Sequence, residues 1–114
     1  MLTFNDQAAI YLRTGSTDLR KSVNGLSAIV QNEMKLNPFN PGYFVFCNKT
    51  KQLIKLLYWD HSGYALWYKR LEKSKFPWPG EEKDVKKISA EQIRWLLSGI
   101  DFFKAHKKLH FSVV

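Results

Sequence analysis

The densest chemistry in the sequence lies between positions 67 and 78. Trp67-Tyr68-Lys69-Arg70-Leu71-Glu72-Lys73-Ser74-Lys75-Phe76-Pro77-Trp78 places four basic residues and four aromatic ones within twelve positions. Ammonium and guanidinium groups neutralise phosphates, and exposed rings stack on bases. Lys49, Lys51 and Lys55 bring further charge to the hairpin beside it. Lys49, Lys51, Lys55, Lys69, Arg70, Lys73 and Lys75 are therefore the candidate nucleic-acid-binding residues. The same composition arises when aromatics fill the core of a small sheet and lysines form its solubilising rim, so for the rings both roles stay open. For the basic residues the balance of the whole chain decides. Eighteen Lys and Arg against ten Asp and Glu leave a net charge of +8, more than solubility alone requires. That excess favours a polyanionic partner, nucleic acid ahead of an anionic membrane surface.

Other chemistries find less support. The three histidines, one cysteine and scattered serines form no recognisable nucleophile turn, and the six glycines are dispersed rather than gathered into a phosphate loop. Cys47 lies inside an apolar run, where a free cysteine behaves as a buried, inert thiol. His106 and His110 are four apart and would share a helix face, the beginning of a zinc site. No carboxylate recurs at ligand spacing near them and only Cys47 could add sulfur, so they read as part of a cationic tail. No metal and no cofactor is expected. Carboxylates matter more, because a basic protein with an acidic, metal-holding cluster would cleave nucleic acid. The candidates are Asp18, Asp60, Glu72 and Asp101, and each has a local structural role: a helix start, a turn, a neighbour of Lys73, a helix end.

The elements that position these groups follow from periodicity. Ala9 to Arg13 is a short apolar run ending at Gly15, a strand. Ser16 and Thr17 offer N-caps, Asp18 suits a first helical turn, and Leu19, Val23, Leu26, Val30 and Met34 form one apolar stripe at helical spacing. This helix should stop by Asn37, ahead of Pro38. After the turn Asn40-Pro41-Gly42, three strands are expected at Tyr43–Cys47, Leu53–Trp59 and Tyr64–Leu71, joined by short loops into an antiparallel meander. Tyr43–Cys47 is apolar on both faces, so it should be covered on both, by helices on one side and by a second subunit, hence a homodimer, on the other. Phe76-Pro77-Trp78-Pro79-Gly80 cannot be a central strand, and Glu81 to Lys87 reads as a solvated charged loop. Ser89-Ala90-Glu91-Gln92 is a capping box opening a second helix, whose stripe is Ile93, Leu96, Leu97 and Ile100. In the strand at 64–71, alternation puts Trp67, Lys69 and Leu71 on one face and Tyr68, Arg70 and Glu72 on the other. Leu71 and Trp67 should point inward, so Lys69 and Lys73, which share their parity, have to lie near an edge or snorkel out.

The chain has 114 residues, the size of one domain. The expected architecture is a single α+β domain over 1–114: a mostly antiparallel sheet with two helices and a basic C-terminal tail at 103–114. A lone cysteine excludes an intramolecular disulfide. No apolar run approaches the roughly 18 residues of a membrane span, and the first residues carry no basic-then-apolar leader. A cytoplasmic protein is expected.

From about Tyr11 to Phe102 the sequence resembles a known family. The blocks are Asp18-Leu19-Arg20-Lys21-Ser22-Val23-Asn24-Gly25-Leu26, Pro38-Phe39, Phe44-Val45-Phe46, Lys55-Leu56-Leu57-Tyr58-Trp59-Asp60, Gly63, Leu66-Trp67-Tyr68-Lys69-Arg70-Leu71-Glu72, Phe76, Trp78-Pro79 and Leu96-Leu97-Ser98-Gly99-Ile100-Asp101. In order and spacing they are similar to the small accessory protein, TnpB type, encoded by the second reading frame of insertion sequence 66 transposons. Ser22 and Ser74 stand where such proteins often carry glycine. The resemblance implies a non-catalytic transposition accessory factor that contacts DNA, the separately encoded transposase of the same element, or both. It carries over no catalytic residue. The rivals are a metal-dependent nuclease and a general RNA-binding module.

Overall fold

The structure, a computed structural model, describes residues 4–80 and 82–100. Its elements are β1 (Ile10–Arg13), α1 (Val23–Asn32), β2 (Tyr43–Cys47), β3 (Leu53–Asp60), β4 (Gly63–Arg70), β5 (Val85–Ile88) and α2 (Ala90–Leu97). The five strands form one sheet in the order β4-β3-β2-β1-β5. The meander β2-β3-β4 is antiparallel as expected, with Phe44 opposite Leu57 and Lys55 opposite Tyr68. β1 pairs parallel with β2 through the crossover that contains α1, and antiparallel with β5 on its other edge. Two helices on a mostly antiparallel sheet make the α+β fold.

Alternation along the strands sorts the apolar residues into two cores. Ile10, Leu12, Val45, Cys47, Ile54 and Leu56 face α2, whose Ile93 and Leu96 close that side together with Phe76 and Trp78. Phe44, Phe46, Leu53 and Leu57 face the other way, against Leu26, Ile29 and Val30 of α1 and the flanking Leu19 and Met34. The expectation of helices on one face and a second subunit on the other is corrected here. One helix covers each face, so the doubly apolar β2 is buried within the chain itself.

Three local readings are also corrected. α1 begins at Val23, not after Ser16–Thr17, because the intervening segment is committed elsewhere. The Thr17 N–H donates to the Cys47 carbonyl at 2.8 Å, the Thr17 hydroxyl accepts from Arg13 Nη1 at 3.0 Å, and Asp18 folds back onto Arg20. Such local side-chain bonds compete with helix. The N-cap is Ser22, at φ −88°, a conformation that needs no glycine. α1 ends at Asn32, within the limit expected at Asn37, so Met34, counted in the helical stripe, lies past the helix end; Lys35 turns the chain at φ 59° and the Leu36 N–H returns to the Val30 carbonyl. Finally, Val85–Ile88 is a strand, not part of a charged loop. Only Val85 and Ile88 of its four residues are apolar, but β1 offers an open edge. Thr14 fixes the approach: its hydroxyl donates to the Glu82 carbonyl at 2.7 Å and accepts the Asp84 N–H at 2.9 Å.

The capping box is present as expected: Ser89 Oγ accepts from the Gln92 N–H, and Gln92 Oε1 accepts from the Ser89 N–H. The proline-rich segment after β4 is not a strand, also as expected. It lays Phe76 and Trp78 into the α2-side core, and the Trp78 indole N–H donates to the Gly15 carbonyl at 2.8 Å. Gly80 takes φ 77° there, and a Cβ on it would come within 3.1 Å of Thr14 Cβ. The tail at 103–114, with His106 and His110, lies outside the described residues, as does Asp101.

Two outcomes follow from this packing. Phe46→Ala should lower unfolding free energy by about 3–5 kcal/mol through transfer and cavity terms, whereas Ser89→Ala should lower it by about 1 kcal/mol through a lost cap. Urea titration of the two variants gives both values. Cys47 is fully buried, and burial pushes its thiol from 9.0 up to about 12. The native protein should therefore not react with an aromatic disulfide reagent at pH 8 but should titrate one thiol in denaturant. Above pH 9 the unfolded chain loses this proton while the folded chain keeps it, so stability, flat below that value on this group's account, should decline as pH rises towards 12.

Candidate nucleic-acid interface

The β3–β4 half of the sheet carries a groove on its α1 face, about 990 Å³ in volume. β3 and β4 supply the floor with Leu53, Lys55, Leu66, Tyr68 and Arg70, which alternation and register place on the same face. The β2–β3 turn contributes Asn48, Lys49 and Thr50, the segment from Ser16 to Arg20 forms one wall, and Lys83 reaches in from the approach to β5. Lys49, Lys55, Arg70, Lys83 and Arg20 are the cations of this lining and Asp18 is its one acid.

Asp18 does not offset the unpaired cations, because it is matched by its own neighbour. Arg20 Nε and Nη2 donate to its two carboxylate oxygens at 2.9 and 2.8 Å, and the Arg20 N–H adds a third bond at 3.0 Å. The Arg20 side-chain bond, then its backbone bond, hold the Asp18 carboxyl down at about 2. Charge is left over on Lys49, Lys55, Arg70 and Lys83.

The seven residues expected from sequence separate into groups. Lys49, Lys55 and Arg70 converge on the groove. Lys55 is also held from below, its Nζ donating to the Leu19 carbonyl at 2.7 Å. Lys51, Lys73 and Lys75 are exposed at the same end of the sheet, where the Phe76 N–H donates to the Lys51 carbonyl, but they do not line the groove. Lys69 points to the opposite face, as its parity with Trp67 required. Its Nζ donates to the Leu97 carbonyl at 3.0 Å, placing a cation on the C-terminal end of α2, where the helix dipole favours one.

The aromatic residues divide as sharply. Phe76 and Trp78 are core, and Trp67 packs partly against the same core. Tyr68, directly across from Lys55, is 64% exposed in the groove. Sequence reasoning left Lys83 and Arg20 out of the site. Lys83 sits in a segment of alternating charge whose only distinction is that Thr14 anchors it, a contact spanning about seventy positions. Arg20 could have been found from the Asp-x-Arg spacing, which suits a local fork.

Among the described residues, Asp60 and Glu72 do not converge. Asp60 ends β3 at the hairpin with Gly63, whereas Glu72 follows the far end of β4. A strand of that length separates them by roughly 25 Å. Among the described residues no three His, Cys, Asp or Glu side chains form a group able to hold a metal ion, and no helix is long and apolar enough to cross a membrane. A second hollow, at the hairpin end, is lined by Phe39, Tyr43, Tyr58, Trp59 and His61. Phe39, Trp59 and Tyr64 pack ring against ring there, with centroids 5.0 to 5.7 Å apart.

No solved structure matches the chain. Among curated proteins it is similar to the uncharacterized protein y4hO of Sinorhizobium fredii (strain NBRC 101917 / NGR234), 37% identical over 102 residues, covering 90% of this chain and 89% of that protein. It is also similar to y4jC of the same organism, 32% identical over 99 residues, covering 87% and 85% respectively. Residues 8–107 match the family model described as IS66 Orf2 like protein, a span that takes in the whole sheet, both helices and every wall of the groove. The chain belongs to the IS66 Orf2-like family of small proteins with an accessory role in transposition.

Proposed function

We propose that the protein assists transposition by holding DNA in the groove on the α1 face of β3 and β4, without catalysing strand cleavage itself. The observation that carries this reading is the convergence of Lys49, Lys55, Arg70 and Lys83 around an exposed ring, with Asp18, the one carboxylate of the lining among the described residues, already matched by Arg20. Such an arrangement neutralises phosphates without reading base edges. Neither of the described helices, α1 or α2, lines the groove, so selectivity for sequence is weak. The separation of Asp60 from Glu72 supports a non-catalytic role, since phosphoryl transfer on two metal ions needs carboxylates that converge. The transposase of the same element is the natural source of the cleavage chemistry.

Fluorescence anisotropy with a labelled DNA across a salt series tests this. With four phosphates neutralised, log affinity should fall against log salt with a slope of about −4. Lys49→Ala with Arg70→Ala should make the slope shallower by about two, with unfolding free energy changed by no more than about 0.5 kcal/mol, because exposed charges contribute little. Lys69→Ala should do the reverse, leaving the slope intact while lowering stability by about 0.3–1 kcal/mol through the uncapped end of α2. A flat salt response would remove DNA from the reading and leave contact with the transposase. Mg²⁺-dependent nicking of plasmid by the purified chain would overturn the non-catalytic role.

A further inference from the structure

Tyr68 is anomalous in this sheet. Among the described residues Tyr11, Tyr43, Tyr58 and Tyr64 all pack against other rings, but Tyr68 packs against none and is 64% exposed on a strand whose other apolar residues are half-buried. Its surroundings are ordered for it. Lys55 stands directly across the β3–β4 ladder, its ammonium tethered to the Leu19 carbonyl at 2.7 Å, and Arg70 is the next residue on the same face of β4. A lysine ammonium has three donors; with the Lys21 carbonyl also within 3.5 Å, the tether fixes its position and leaves one donor for an anion. The ring thus has a tethered cation across the ladder and a second cation at the next same-face position along its own strand.

We infer that the groove selects DNA with unpaired nucleotides, stacking one base on Tyr68 while Lys55 and Arg70 take the phosphates on either side of it. The inference rests on the DNA-holding role proposed above and names the kind of DNA. In a duplex every base face is already covered by its neighbours, so a ring projecting from a groove floor gains nothing by stacking and only the cations contribute. An unpaired base has a free face, and stacking on an aromatic side chain is tolerant of sequence because every base has one.

The test is anisotropy at one fixed salt concentration with a labelled single-stranded oligothymidylate, a duplex of the same length, and a single-stranded RNA of matching sequence, using the wild type, Tyr68→Ala and Tyr68→Phe. The single strand should bind at least tenfold more tightly than the duplex. Tyr68→Ala should weaken single-strand binding by about 5- to 150-fold, the range of one stacking contact, and weaken duplex binding far less. Tyr68→Phe should restore it, since the ring and not the hydroxyl does the stacking. Unchanged thermal unfolding of Tyr68→Ala controls for folding. Equal or tighter duplex binding, an equal loss of both DNA forms in Tyr68→Ala, or no loss at all would overturn the inference while salt-dependent DNA binding still stood. RNA binding more tightly than single-stranded DNA would overturn the assignment to DNA. Binding to none of the three would overturn both this inference and the reading beneath it.

Discussion

The groove proposed to hold DNA depends on a buried cation that does not line it. Arg13, the last residue of β1, is only 4% exposed. A guanidinium taken out of water is unfavourable unless charge and hydrogen bonds replace its solvation. Arg13 finds both at the two ends of the crossover between β1 and β2: Thr17 just after the strand and Glu33 just after α1. Satisfying one side chain therefore fixes where the crossover leaves the sheet and where α1 ends. With Thr17 pinned on its other side by the Cys47 carbonyl, the chain from Ser16 to Arg20 has to pass beside the β2–β3 turn. That passage is the wall of the groove.

The groove itself exists because α1 is short. Ten residues rise about 15 Å, enough to seal Phe44, Phe46 and Leu57 but not to cover the far half of β3 and β4. The strands there still alternate, so their α1-side positions project into open space, and those positions are Lys55, Tyr68 and Arg70. On the other face no such opening arises, since α2 and the Phe76–Trp78 segment share the work of covering it. Cations of one strand consequently end up with different tasks. Arg70 is offered to solvent, whereas Lys69, one residue earlier, is spent on the end of α2.

Much of this was legible in the sequence, and what was not has a common cause. The β2-β3-β4 meander, the capping box and the exclusion of Phe76–Gly80 from any strand follow from short-range patterns: alternation, turn residues, proline. Parity alone also placed Tyr68 with Arg70 and set Lys69 against them. The late start of α1, the strand at Val85–Ile88 and the place of Lys83 in the groove were not legible, because each is decided by a partner distant in sequence. Val85-Lys86-Lys87-Ile88 has no strand signature of its own; it pairs because β1 has a free edge and Thr14 holds its approach. Ser16 and Thr17 have good N-cap chemistry, but Thr17 spends it on Arg13. The covering of β2 by a helix on each face, rather than by a second copy, was also beyond local pattern, since periodicity shows that a face is apolar without showing what meets it.

The position of β1 sets the order in which the molecule can be completed. Its register with β5 joins Ile10 to Ile88, so a strand made among the first residues waits for one made some seventy-eight positions later. Closing so long a loop comes slowly, and before it closes the local meander is free to form. Until Ile88 has been made β1 therefore has one edge bare, and a bare edge invites pairing with other chains. A ribosome that stops anywhere before Ile88 leaves that edge unpaired by its own partner, so early termination within this reading frame yields aggregation-prone fragments rather than smaller working versions of the protein.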